Sequence, residues 1–295
     1  SIGSYAFMRC GQLKSITIPE GVTVIGDQAF ASREYYGGDT PDAEEYGIES
    51  IIIPDTVTSI GYGAFQGCNV LKSVKLSNSL TSIPSSLFYG CAKLESVTMP
   101  ENAESIGDYA FASCSALTEV TIPQGISIIE SYLFYNCTSL ETIEIPDGVT
   151  QIKNYAFCGC ESLKKITIPS SVTRIGSSYD NVFTGCAELK TAGPIGGGYN
   201  IEFGWTDSIL NSAFNYCDSL TEVTFPEGLT SISYPFRGCT ALEHIIIPAS
   251  VTKVTSYGTD SSLTNLKTAG PIGSGCNIEF AWTDELPASA FEDCI

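Results

Sequence analysis

Few residues in the chain have the type and spacing to do chemistry. His244 is the only histidine, and Cys158-Gly159-Cys160 is the only closely spaced cysteine pair. A catalytic base needs a nucleophile and an orienting carboxylate beside it. A structural zinc site needs four ligands at fixed spacing. Neither set accompanies these residues. Glu44-Glu45 could do acid–base work only in surroundings that push two pKa values apart, and they stand in an acidic stretch that reads as a solvated loop. There is no Gly-x-Ser-x-Gly elbow, no Gly-x-Gly-x-x-Gly and no phosphate loop. Asn136-Cys137-Thr138 matches a glycosylation sequon, but its middle residue belongs to the repeat described below. The sequence therefore predicts no enzyme, no catalytic residue, no cofactor and no metal site.

What remains is contact chemistry. The only two tryptophans, Trp205 and Trp282, occupy equivalent places in two near-identical segments 77 residues apart. Leu189-Lys-Thr-Ala-Gly-Pro-Ile-Gly196 matches residues 266–273, and Asn200-Ile-Glu-Phe-x-Trp-Thr-Asp207 matches residues 277–284. Ile201, Phe203 and Trp205 alternate with Glu202, as a protruding strand with one apolar face would. Two readings stand side by side: paired aromatic contact sites for a glycan or peptide, or a small local core under each loop. The candidate ligand-binding residues are Glu202, Trp205, Glu279 and Trp282. Tyr35 and Tyr36 join them from a third insert with Asp39, Asp42, Glu44 and Glu45, which could hold a cation or a basic partner.

These segments interrupt a repeat, and the repeat is what must position them. Phe followed three residues later by Cys recurs along the chain, and from Phe65 to Phe157 the step is 23 residues four times running. Eleven Phe landmarks run from Phe7 to Phe291. Periods of this size mean stacked units, each burying its apolar face against its neighbours. At about 4.8 Å per rung the stack would be roughly 50 Å long. The chain reads as a single solenoid over residues 1–295, with inserts near 33–48, 195–208 and 272–285.

Within one rung, Leu163-x-x-Ile166-x-Ile168 has strand alternation stopped by Pro169. Val149-Thr-x-Ile152 is a second short extended piece. Residues 154–160 carry Ala and Phe with no β-branched residue, which predicts a single helical turn. The combination Ile-Pro-x-x-Val-x-x-Ile-Gly-x-x-Ala-Phe-x-x-Cys-x-x-Leu resembles the BspA-like leucine-rich repeat, with good copies at Ile18-Pro19, Ile122-Pro123, Ile145-Pro146, Ile168-Pro169 and Ile247-Pro248. The resemblance implies an α/β right-handed solenoid: a parallel sheet on the concave side, short strands and helical turns on the other faces. It also implies a bacterial surface or secreted protein engaged in adhesion to host proteins, without catalysis.

Ten of the 12 cysteines share one repeat slot: 10, 68, 91, 114, 137, 160, 186, 217, 239 and 294. That placement is similar to the buried Cys/Asn ladder of leucine-rich repeats and predicts packed thiols, since parallel side chains do not aim their sulfurs at one another. Cys158 and Cys276 fall outside the slot and read as surface or packing residues.

Composition narrows the partners. Lys plus Arg number 14 against 33 Asp plus Glu, a net charge of −19, which excludes a basic footprint for nucleic acid or anionic membrane. No apolar run reaches the length of a membrane span, so direct insertion is not expected. Outward concave positions are mostly Ser and Thr, suited to weak, repeated contacts. Both ends fall inside a repeat, which predicts a processed or recombinant piece of a longer protein. Any signal peptide and anchor would lie outside it, and exposed terminal rungs would favour a homodimer. The functional expectation is an extracellular module that recognises a host protein or surface glycan. Its rival is a passive stalk presenting another domain.

Overall fold

A computed structural model describes residues 1–32, 47–176, 182–205, 213–233, 236–255, 269–271, 274 and 278–280. Twenty short strands follow one another: β1 (Val24–Ile25), β2 (Ser50–Ile52), β3 (Ser59–Ile60), β4 (Ser73–Lys75), β5 (Ser82–Ile83), β6 (Ser96–Thr98), β7 (Ser105–Ile106), β8 (Ile128–Ile129), β9 (Thr142–Glu144) and β10 (Gln151–Ile152). The second half holds β11 (Lys165–Ile168), β12 (Arg174–Ile175), β13 (Thr191–Pro194), β14 (Ile201–Phe203), β15 (Glu222–Thr224), β16 (Ser231–Ser233), β17 (His244–Ile247), β18 (Lys253–Thr255), β19 (Ala269–Pro271) and β20 (Ile278–Phe280). All pairings are parallel. Ser50, Ser73 and Ser96 stand opposite one another at the repeat interval, as do Ser82 and Ser105. A residue and its counterpart one repeat later thus face the same way, and Ile, Leu and Val at the inward positions merge into one continuous core. Proline closes the longer strands because it has no N–H to extend a ladder.

The Phe slot builds the spine. Phe7, Phe30, Phe65, Phe88, Phe111, Phe134, Phe157 and Phe183 stack in sequence, neighbouring ring centres 5.2–5.9 Å apart. The long step from Phe30 to Phe65 leaves the stack unbroken at 5.2 Å, so the first insert leaves the spine without disturbing it.

The helical turn expected around each Phe is not there; no helix occurs among the described residues. The chain instead makes successive tight turns, with left-handed residues two before and two after the Phe. Gly63, Tyr109, Tyr132 and Tyr155 occupy the first position at φ 55° to 58°, and Gly67, Gly90, Ser113, Asn136 and Gly159 the second at φ 55° to 77°. Alternating right- and left-handed residues aim peptide groups along the stack instead of back into their own turn. Phe88 N donates to Ala110 O at 2.8 Å, Phe134 N to Ala156 O at 2.8 Å and Gly90 N to Ala112 O at 2.8 Å. A helix would satisfy these groups internally; here neighbouring rungs satisfy one another. The left-handed tyrosines recover part of their backbone cost by stacking outside the core, Tyr109 on Tyr132 at 4.5 Å and Tyr132 on Tyr155 at 4.8 Å.

Candidate functional site

The two later inserts each place a strand in the sheet. The eight-stranded concave sheet runs β9-β11-β14-β13-β15-β17-β20-β19, so each insert adds a strand and inverts the local order. The chain passes through β13, turns back through residues 195–200, and lays β14 behind β13, against the preceding rung. Ile201 stands between Ile166 and Ala192, and Phe203 between Ile168 and Pro194. β20 repeats this between β17 and β19, with Ile278 opposite Ile245 and Ala269. The expected protruding strand is corrected to a strand inside the sheet, because Ile201 and Phe203 bury fully only between two neighbours.

Trp205 follows from that placement. It is 6 % exposed, stacks on Phe203 at 5.4 Å, and its Nε1 donates to Val172 O at 2.8 Å. Its ring presents no face to a ligand and closes the end of the inserted strand. Tyr35, Tyr36 and Trp282 lie outside the described residues.

Glu202 faces the concave side yet is only 3 % exposed. Its Oε1 accepts from Gly198 N at 2.9 Å, and its Oε2 pairs with Lys165 Nζ at 3.1 Å. Burial pushes this carboxyl up. Hydrogen bonds from Lys165, Gly198 N and Gly196 N outweigh that and hold it below the ordinary glutamate value. The turn 195–199 is thereby folded down over the sheet. Tyr199 lies on Gly193, where a Cβ would run into the ring. Glu279, 6 % exposed, has the same register: it stands opposite Ile246 and Gly270, as Glu202 stands opposite Thr167 and Gly193. One row of outward positions therefore joins both glutamates. Four strand steps separate them, about 19 Å at parallel spacing, rather than the three-rung, 15 Å separation expected for the inserts.

The residue that pins the insert holding β14 went unnoticed in the sequence. Asn200 Oδ1 accepts from Lys190 N at 3.2 Å, Thr191 N at 3.1 Å and Thr191 Oγ1 at 3.0 Å. Its Nδ2 donates to Lys164 O at 2.8 Å, tying β14 to the preceding rung. Asn277 stands at the same place in the duplicated segment, and only that duplication signalled it.

Towards the N-terminal end the concave face is open. Ser50, Ile52, Lys75, Ser96, Thr98, Glu119, Thr121, Thr142 and Glu144 are exposed or nearly so along it. From Thr167 onwards, Thr191, Glu222, Thr224, His244 and Ile246 are half-buried. His244 stands opposite Glu222 on this face. Among the described residues no group of His, Cys, Asp or Glu has a metal-binding arrangement.

The ten described cysteines form no disulfide. The ladder thiols donate to the carbonyl of the Phe one rung back: Cys91 to Phe65 O at 3.1 Å, Cys114 to Phe88 O at 3.2 Å, Cys137 to Phe111 O at 3.1 Å and Cys160 to Phe134 O at 3.2 Å. Burial pushes the Cys137 thiol up to about 12 and raises Cys91, Cys114, Cys160, Cys186 and Cys217 as well. These thiols are structural. Cys10 is exposed and Cys158 half-buried.

A parallel concave sheet, a second short-strand sheet and turns around a Phe spine define a leucine-rich-repeat solenoid. The model for BspA-type leucine-rich-repeat regions matches residues 1–35, 43–132, 127–193 and 199–274, and the chain belongs to that family. A leucine-rich repeat protein from Bacteroides ovatus is similar in structure, with 28 % identity and a TM-score of 0.70 over 95 % of this chain and 74 % of that one. A leucine-rich repeat protein from T. pallidum shares 25 % identity at a TM-score of 0.51, over 68 % of this chain and 89 % of that one. No curated protein sequence matches the chain.

Proposed function

We propose that the chain is a non-enzymatic extracellular recognition module, adhesin-like, which binds a host protein or surface glycan through its concave face. The observation that carries this reading is that both later inserts place a strand in the concave sheet, β14 and β20, and bring Glu202 and Glu279 into one row, while the first also folds a turn over it. Modifying one face at two places while conserving the scaffold is what recognition requires; a stalk gains nothing from it. The excess of 33 acidic over 14 basic residues favours a neutral or basic partner surface.

The test is equilibrium binding to a panel of extracellular-matrix proteins, mucins and glycans. Wild type is compared with a Thr142→Arg/Glu144→Arg variant on the concave face and a Glu161→Arg variant away from it. Saturable binding weakened by the first and untouched by the second is expected. Binding to nothing on the panel would overturn the module reading in favour of a stalk.

A further inference from the structure

Both sheets lose their ladder at one place in the stack. β6 pairs with β4 and β9 with β11, but residues 118–122, which lie between β6 and β9, pair with neither. In the second sheet β7 pairs with β5 and β8 with β10, and no ladder joins β7 to β8. Among the described residues no backbone hydrogen bond links residues 95–107 to residues 117–130. On the turn side the same two rungs stay joined. Ser86 N donates to Asp108 O at 2.9 Å, Phe88 N to Ala110 O at 2.8 Å and Gly90 N to Ala112 O at 2.8 Å. Two further observations fall at this step. The Phe88 and Phe111 rings are 31° from parallel, against 0° to 21° at the other steps from Phe7 to Phe183. Val97 and Val120, the inward residues on either side, are only partly buried, whereas Val74, Ile143 and Ile166 in the same slot are buried.

The sequence supplies a cause. Val57, Leu80, Ile126, Val149 and Val172 fill one inward slot, and Ala103 takes it here. The shorter side chain lets the turn 123–126 settle on the one before it: a Cβ on Gly125 would stand 2.8 Å from Ala103 O. The two rungs meet at that turn and at the Phe turns, and the strands between are left without a ladder. We propose that this step is a hinge in the solenoid. The block ending in β7 and the block beginning at residue 118 tilt about the joined turn edge, opening and closing the concave sheet between Val97 and Val120. Closing buries the two valines and pairs the backbone groups; opening gives those groups water as a partner, which keeps the cost of opening low. In a stack whose stability is a sum of neighbour contacts, an interface without either ladder is where bending concentrates. The hinge goes beyond the recognition-module reading. It lies between the open part of the concave face, residues 50–98, and the part that carries Glu202, so a tilt resets one against the other.

The experiment is hydrogen exchange read by mass spectrometry on the full chain, with Ni²⁺ as a clamp. Ser96 and Glu119 are exposed on either side of the split, so Ser96→His/Glu119→His offers a metal-bridging pair across it. Ser73→His/Ser96→His, across the paired strands β4 and β6, is the control, and wild type with Ni²⁺ accounts for His244. In wild type, residues 118–122 and 127–130 should exchange about tenfold or more faster than residues 142–144 and 165–168, while the turn amides of Phe88 and Phe111 stay protected. Ni²⁺ should slow residues 118–122 and 127–130 in Ser96→His/Glu119→His and leave them unchanged in the control and in wild type. Equal protection of residues 118–122 and 142–144 would mean a continuous sheet and overturn the hinge. A clamp that takes up Ni²⁺ without slowing exchange overturns it too, because the split is then fixed. So does a clamp that takes up no Ni²⁺ where the control does, because the two sides then never close. Loss of protection at Phe88 and Phe111 together with the strands would replace the hinge by unfolding of the rung. No ligand enters the experiment, so its outcome is independent of the module reading.

Discussion

Trp205 Nε1 donates to the carbonyl of Val172, 33 residues earlier, at 2.8 Å, and the indole is stacked on Phe203. One side chain thus caps the inserted strand and satisfies a backbone carbonyl of the preceding rung. Trp205→Ala should destabilise the solenoid by about 3–5 kcal/mol, the usual range for emptying a buried aromatic site. Trp205→Phe keeps most of the ring contact but orphans the carbonyl, and should cost about 1–3 kcal/mol. Denaturant melts of the two variants check the order. A Trp205→Ala protein as stable as wild type would mean that the indole lies outside the core.

Glu202 gives the inserted turn a pH dependence. Its carboxyl is held below the ordinary glutamate value, so its contribution is present above the unfolded-state pKa and is lost as pH falls through the lower folded one. Glu202→Gln should therefore melt below wild type at pH 7, and the gap should close on acidification below about pH 4. A gap that persists unchanged at pH 3 would mean that the Gln variant is harmed by packing and not by the lost Lys165 pair.

The cysteine ladder makes the opposite prediction at the alkaline end. The buried thiols have folded pKa values above their unfolded ones, with Cys137 near 12, so the folded state holds their protons longer. Stability should be level up to about pH 8.5, the ordinary thiol value, and fall as pH rises above it, because the unfolded chain releases protons first. Melting temperatures under reductant from pH 7 to 10.5 check the sign. In the native protein at pH 8, a thiol reagent should label Cys10 first and Cys158 more slowly, and leave Cys91, Cys114, Cys137, Cys160, Cys186 and Cys217 untouched until denaturation.

The fold was legible because its cause is local and repeated. Ile166 and Ile168 before Pro169 define an inward-facing strand, and the copies centred on Val74, Val97, Ile143, Val223 and Ile245 likewise form strands in register with a neighbour. The turns were misread because the 154–160 composition suits a helix, whereas the deciding signal was glycine two residues before or after Phe at Gly63, Gly67, Gly90 and Gly159. Tyr109, Tyr132 and Tyr155 hide that signal by taking a left-handed slot without glycine. The inserts were legible as duplications but not as strands of the sheet. Alternation at Ile201, Phe203 and Trp205 shows which side chains go together, but not whether they cover a loop or wedge between two existing strands. That depends on Ile201 meeting both Ile166 and Ala192, a contact between parts of the chain that local pattern does not encode.

Asn200 converts the inserted strand from a loose loop into a fixed one. Its side chain accepts from two backbone N–H groups and the Thr191 hydroxyl on one side and donates to Lys164 O on the other, and its own N donates to Thr191 Oγ1 at 3.2 Å. Asn200→Ala leaves those N–H groups and the carbonyl without their side-chain partner and should cost about 2–4 kcal/mol, more than one ordinary hydrogen bond. Asn200→Asp discriminates the two halves of the clamp. A carboxylate still accepts from Lys190 and Thr191, but it turns an oxygen toward Lys164 O, where a donor is required. Asp should therefore rescue little at pH 7 and more at a pH low enough to protonate it. Hydrogen exchange at residues 191–194 and 201–203 reads the outcome locally. Faster exchange there, with the Phe65 to Phe157 rungs unchanged, is expected; equal protection in wild type and Asn200→Ala would mean that packing of Ile201 and Phe203 alone holds the strand in the sheet.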